Sequence, residues 1–171
     1  MPWEMDLGGD CKPRYALIVD ILFFLWENTN VLPSLYKGLP LMLMKLELIP
    51  IPVTDIDRAK TFYTEKIGFH CDHDTRVSAS VRVVQLTPTG SGCSIVLMHG
   101  MPEMEQMTPG TVKGVHLVVK NAQATSEALT ARGVEVSPVR DVGGGVKMAS
   151  FQDPDGNSWA IQEIPWRVSE F

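Results

Sequence analysis

His116 and Gln162 are the residues of this chain whose types and surroundings best suit contact with a small organic molecule. Each interrupts an apolar run, Val115-His116-Leu117-Val118-Val119 and Trp159-Ala160-Ile161-Gln162-Glu163, of the alternating kind that a half-buried strand uses. Free imidazole titrates near 6.5, so His116 could move a proton close to neutral pH. No carboxylate is visible in the sequence to orient it, so a histidine that hydrogen-bonds a ligand is the preferred expectation, with a satisfied structural histidine as the bland alternative.

Other groups draw attention and then lose it. His70-Cys71-Asp72-His73-Asp74 carries metal-binding residue types, but on a regular strand His70, Asp72 and Asp74 face opposite to Cys71 and His73, as in an exposed polar strand. Gly143-Gly144-Gly145 could bring bare backbone to a phosphate, yet no helix start follows it, and a hairpin loop is expected. Met101, Met104 and Met107 share one face of a short helical turn that suits packing, or an adaptable cover over an apolar ligand. Arg82 is assigned by strand parity to the side where a ligand anion could meet it, although strand-end arginines are ordinary surface residues.

The elements that position these residues come as two copies of one unit. Residues 45–53 suit a strand, with Pro50 and Pro52 placing it where ladder bonds are absent, as at an edge. Asp55 is a helix cap without the capping-box glutamate, because Arg58 stands in its place. Ala59, Phe62, Tyr63 and Ile67 follow at helical spacing, and Gly68 ends the helix. Strands are expected at Phe69 to Asp74, Val81 to Leu86 and Cys93 to Met98. After a connection through the methionines the unit restarts: a strand at Val115 to Val119, a cap at Asn121, a helix over Ala122 to Arg132 and a stop at Gly133. Strands over about 134–139, 146–152 and 157–164 complete it. An offset of 66 residues pairs Val53 with Val119, Asp55 with Asn121, Pro88 with Pro154 and Gly90 with Gly156.

Composition bounds the rest. The 171 residues, 44% hydrophobic, can bury one substantial core, and a formal charge of −5 without a basic block argues against nucleic acid as a partner. Cys11, Cys71 and Cys93 form no framework and suit free thiols in a cytoplasmic protein. Residues 1–43 read as an N-terminal extension. Its apolar run Tyr15 to Trp26 is too short for the roughly 20 residues of a spanning helix, and no secretory signal is evident, so no membrane partner is expected. Residues 44–165 form the domain and residues 166–171 a short tail.

Val53-Thr54-Asp55, Phe62-Tyr63, Gly68-Phe69 and above all Asp153-Pro154-Asp155-Gly156-Asn157 resemble the vicinal oxygen chelate superfamily of glyoxalases, bleomycin resistance proteins and extradiol dioxygenases. The resemblance covers about residues 44–164. It implies an α+β fold of two βαβββ modules forming a cupped, curved sheet with helices on the convex side, and sites that commonly form between the subunits of a homodimer. Ile49, Ile51, Val53, Ile95, Leu97, Val115, Leu117, Val119, Trp159 and Ile161 share the parity expected beneath the helices. Leu48, Pro50, Val84, Ser94, Val96, Met148 and Gln162, with His116, are assigned to the cleft.

Family members that hold a metal carry His, Gln or Glu at positions that the resemblance places at Leu48, Ser94, Gly114 and Ala160. Only Ser94 offers an oxygen, and a neutral one, so no cofactor is expected and a divalent metal is the alternative. The resemblance then implies a binding protein for a small organic molecule. Competing readings are a glyoxalase-like lyase or isomerase using His116 for proton transfer, and a protein that sequesters a drug or metabolite.

Overall fold

The computed structural model describes residues 43–171. The expected extension, with Cys11 and the Tyr15 to Trp26 run, lies outside them except for Leu43. Lys45–Phe171 is one compact unit. Its strands are β1 (Leu48–Pro50), β2 (His70–Arg76), β3 (Arg82–Thr87), β4 (Ser94–His99), β5 (Val115–Val118), β6 (Arg140–Asp141), β7 (Lys147–Gln152) and β8 (Ser158–Glu163). Between them lie α1 (Ile56–Thr61), which continues as a π-helical turn over Phe62–Ile67, then α2 (Pro102–Glu105) and α3 (Ala122–Ala131), with a 3-10 helix at Pro165–Glu170. The strands form two four-stranded sheets, ordered β1-β4-β3-β2 and β5-β8-β7-β6, so each half is a βαβββ module.

Local chemistry sets these boundaries. Asp55 is extended and its Oδ1 accepts from the Arg58 N–H at 3.0 Å; Asn121 does the same for Ala124 at 2.8 Å. Gly68, at φ 94°, closes the first helix, where its N–H and that of Phe69 both reach the Tyr63 carbonyl. That wide closure makes the last turn π-helical. Strand β1 is shorter than expected, with a physical reason in its sequence. Ile51 N–H donates inward to Val96 at 3.0 Å, so the alternate nitrogens of Pro50 and Pro52 face the sheet edge, where neither carries a proton. The strand expected over 134–139 is reduced to a Val136–Phe151 bridge and a Ser137-to-Ser150 hydrogen bond, with β6 forming later at Arg140–Asp141.

The helix-side faces of both sheets share one core. Ile95, Leu97, Val84 and Leu86 of the first sheet and Ala149, Phe151, Trp159 and Ile161 of the second all belong to it, together with Phe62, Tyr63 and Leu129 from the helices. Ile51, Ile95, Leu97, Trp159 and Ile161 are buried as expected, and Ile49, Val53, Val115, Leu117 and Val119 pack against them half-buried. Burying each large apolar side chain contributes roughly 1.5–3 kcal/mol, so this shared face is the main source of stability. Aromatic contacts bind the modules together: Tyr63 meets Trp159 edge-on at 5.6 Å, and Phe62 meets Phe151 at 6.4 Å.

A polar network runs through that apolar layer. The Tyr63 hydroxyl donates to Asp153 at 2.8 Å and accepts from the Trp159 indole N–H at 3.1 Å. Asn157 is fully buried; its amide donates to Asp153 and to the Pro52 carbonyl, while its oxygen accepts from the Val112 N–H. Replacing Asn157 by Ala leaves the buried Pro52 carbonyl and Val112 N–H without these partners. We expect Asn157→Ala to cost about 2–4 kcal/mol, read as a lower urea midpoint at an unchanged m-value.

Candidate functional site

The faces turned away from the helices are the candidate ligand surfaces, and strand register decides which side chains they carry. In the second module His116 pairs with Ala160 and Val118 with Gln162 on the parallel β5–β8 ladder, while Met148 pairs with Gln162 across β7–β8. Trp159 and Ile161 point into the core, so His116, Met148, Ala160 and Gln162 lie on the opposite, open face. His116 is exposed, and its Nδ1 lies 3.0 Å from the Gln162 side-chain oxygen. An amide oxygen only accepts, so His116 donates to it from Nδ1, and in the neutral ring Nε2 then carries the lone pair. The orienting partner that the sequence did not reveal is therefore Gln162. His116 also borders a cavity of about 280 Å³ together with Leu117, Pro88, Ser91, Arg167 and Phe171.

In the first module Leu48 pairs with Ser94 and Pro50 with Val96. These four share the open face, Leu48 exposed, Pro50 half-buried, Ser94 and Val96 buried. Val84 does not join them. It pairs with Leu97, is fully buried, and belongs to the helix-side core. The reason is a slide in the antiparallel pairing. Val84 faces Leu97, whereas the 66-residue counterpart of Leu97, Glu163, faces Lys147, three residues short of where the offset would put it. A slide by an odd number moves every side chain to the other side. Val83, Gln85 and Thr87 thus take the open face.

Arg82 changes sides with Val84. It lies on the helix side, bound to Asp57 of α1 at 2.8 Å and to Asp74 at 2.9 Å, with Lys60 holding the other oxygen of Asp74 at 2.7 Å. No ligand anion is needed to satisfy it.

A bulge between Cys71 and His73 overturns the face assignment on β2. His70 pairs with Thr87 and His73 with Gln85, so both histidines share the open side, and Asp72 turns to accept from the Thr87 hydroxyl while lying 3.1 Å from His70 Nδ1. The chain continues inward: Thr87 Oγ1 is 2.6 Å from Ser94 Oγ, and the Gln85 amide nitrogen is 3.1 Å from Ser94 Oγ. Gln85, Thr87 and Asp72 join the candidate site as residues that sequence reasoning missed.

The metal positions implied by the resemblance are Leu48, Ser94, Gly114 and Ala160. Leu48 and Ser94 are cross-strand partners, but the residue opposite Ala160 is His116 rather than Gly114, because the parallel pairing of the second module is slid by two residues against the first. Gly114 instead gives its N–H to the Ser158 hydroxyl at 2.9 Å. Leu48 and Ser94 in one sheet and His116 and Ala160 in the other offer one imidazole and one neutral hydroxyl, which is not a divalent-metal donor set, and no group of three or more His, Cys, Asp or Glu suited to a metal occurs among the described residues. The residues present do not fit the family's metal.

Two βαβββ modules with helices over one face and polar residues on the other define a glyoxalase-type protein. The family model described as the Glyoxalase/Bleomycin resistance protein/Dioxygenase superfamily matches residues 45–161, and the chain belongs to that superfamily. It is similar to TnmS3, an antibiotic binding protein from Streptomyces sp. CB03234, at 31% identity over 72% of this chain and 98% of that one, with a TM-score of 0.64. A glyoxalase/bleomycin resistance protein from the same strain is 32% identical over 68% and 98%, at a TM-score of 0.59. A superfamily member from Sphaerobacter thermophilus DSM 20745 is 28% identical over 72% and 100%, at 0.64. Among curated proteins nothing matches.

The carboxylates of the first module are electrostatically set. Hydrogen bonds from Arg82 and then Lys60 hold Asp74 well below the usual carboxylate range, Arg82 lowers Asp57, and Thr87 and then His70 lower Asp72. A depressed folded pKa gives stability that is present above the unfolded value, near 4, and is lost as pH falls through the folded value. We expect stability to fall below about pH 4 and Asp74→Asn to flatten that acid limb, measured by urea denaturation across pH.

Proposed function

We propose that this chain binds a small organic molecule on the open faces of its modules without the divalent metal common in its superfamily. The observation that carries this reading is the His116–Gln162 pair: an exposed imidazole fixed through Nδ1 by an amide, with no hydrogen bond to Nε2 among the described residues. Such a pair orients a ligand, whereas Leu48, Ser94 and Ala160 bring no metal ligand beyond one neutral hydroxyl. Leu48, Pro50, Val96 and Met148 supply apolar wall, and Ser94 a buried polar position. The similarity to an antibiotic binding protein supports ligand capture, of a drug or a metabolite, as the biological role.

The protein acts as a homodimer in this proposal, each site drawing on both subunits, and it works in the cytoplasm, where the unpaired Cys71 and Cys93 would stay reduced. No helix among the described residues is long and apolar enough to cross a membrane. Residues 1–43 stand as an extension to the domain. A second reading, a metal-free lyase or isomerase, is favoured by the Nε2 lone pair, which could accept a proton from carbon beside a carbonyl.

Saturable ligand binding with no stoichiometric metal after gentle purification is the expected result. Truncation of His116 to Ala should weaken binding by roughly 5–10-fold, one lost hydrogen bond, in isothermal titration. Stoichiometric zinc, nickel, manganese or iron on open-face residues overturns the metal-free reading. Turnover that disappears in His116→Ala would establish the enzymatic one.

A further inference from the structure

The open face of the first module carries a hydrogen-bonded chain whose proton direction is fixed from one end. Asp72 accepts from the Thr87 hydroxyl and takes a second contact from His70 at 3.1 Å. Since Thr87 spends its only proton on that carboxylate, the 2.6 Å contact between Thr87 Oγ1 and Ser94 Oγ requires the proton of Ser94. Ser94 Oγ then has only lone pairs to offer, so the 3.1 Å contact from Gln85 must be a donation by its amide N–H. Every proton in the chain points toward Asp72. With its nitrogen anchored on Ser94, Gln85 has its carbonyl oxygen and one further amide N–H at the far end, on a half-buried side chain of the open face.

We propose that Gln85 is a ligand-contact residue held acceptor-outward through Ser94 and Thr87 by Asp72, so that this face selects ligands bearing hydroxyl, amine or amide N–H donors over acceptor-only ones. The proposal rests on the small-molecule reading above and deepens it by naming the ligand's polarity. Ser94, buried, is an internal link in this scheme, and Asp72 and Thr87 are positioning residues. In the second module the Nδ1 proton of His116 is likewise spent on Gln162, so that a neutral ring offers a further acceptor at Nε2, beside the Gln162 amide N–H groups. An aromatic ligand body would lie against Leu48 and Pro50, the apolar neighbours on β1.

The test uses two probes of one shape, 2-naphthol as donor and 2-methoxynaphthalene as acceptor only, titrated into the uniformly isotope-labelled full chain. In the wild type, 2-naphthol should shift the Gln85 amide signals and bind about tenfold or more tighter than the ether. Thr87→Val keeps the shape, cuts the link to Asp72 and frees the Ser94 proton, so the ratio should fall to within about twofold. A merely structural role for Thr87 would weaken both probes together and preserve the ratio. Gln85→Met, which leaves the Asp72–Thr87–Ser94 links in place, should collapse the ratio likewise and serves if Thr87→Val does not fold. Equal affinity for both probes in the wild type, or shifts at His116 and Gln162 with none at Gln85, overturns the donor-selective assignment while leaving small-molecule binding standing. No shift at any open-face residue with either probe at saturation sinks both.

Discussion

The rest of the structure depends on one buried carboxylate. Asp153 accepts four hydrogen bonds: from the Tyr63 hydroxyl, the Asn157 amide, and the backbone N–H groups of Asp155 and Asn157. Two of these shape its own turn, and one reaches the first module's helix. Burial, and next the Asp153 charge, push the Tyr63 phenol far above its usual range, so it stays a donor at any relevant pH. A buried charge without such partners would cost several kcal/mol, which makes the turn, the helix and the Trp159 strand mutually dependent. Asp155 adds an outer tie: Thr54 and Arg58 donate to its Oδ1 at the start of α1. The Asp-Pro-Asp-Gly-Asn sequence is therefore both a turn before β8 and the clasp that closes one module on the other.

The sequence made the architecture legible because each element is signalled locally. Caps at Asp55 and Asn121, stops at Gly68 and Gly133, and apolar parity on β1, β4, β5 and β8 need only near neighbours to be read, and all appear in the structure. The candidate site was legible only where the repeat keeps its register. Val84 was misplaced by the odd slide of β3, and Gly114 was assigned a partner that the two-residue slide of β5 gives to His116. His73 was set opposite to His70, whose side it shares, because a bulge breaks the period of two. Register and bulges are settled by pairing between distant segments, and periodicity within one strand carries no record of them.

The two modules have diverged in how they keep polar groups on an open face. The second uses a compact pair, imidazole on amide, between neighbouring parallel strands. The first spreads the task over three antiparallel strands, from Asp72 through Thr87 and Ser94 to Gln85. In both, one amide is anchored by a neighbouring side chain, the Gln162 oxygen by His116 and the Gln85 nitrogen by Ser94. In the proposed metal-free reading, these hydrogen bonds among side chains are what orders the surface.

The proline-bearing margin of β1 has a bearing on the life of the chain in a crowded cell. A sheet margin with a full row of N–H and C=O groups can recruit strands from other molecules and grow into aggregates. Pro50 and Pro52 remove two successive donors from that row, so an incoming strand would find every other rung missing. The first module thus carries its own protection against fibre growth on that side, while Val115–Val118, the corresponding margin of the second module, has no proline and keeps its donors.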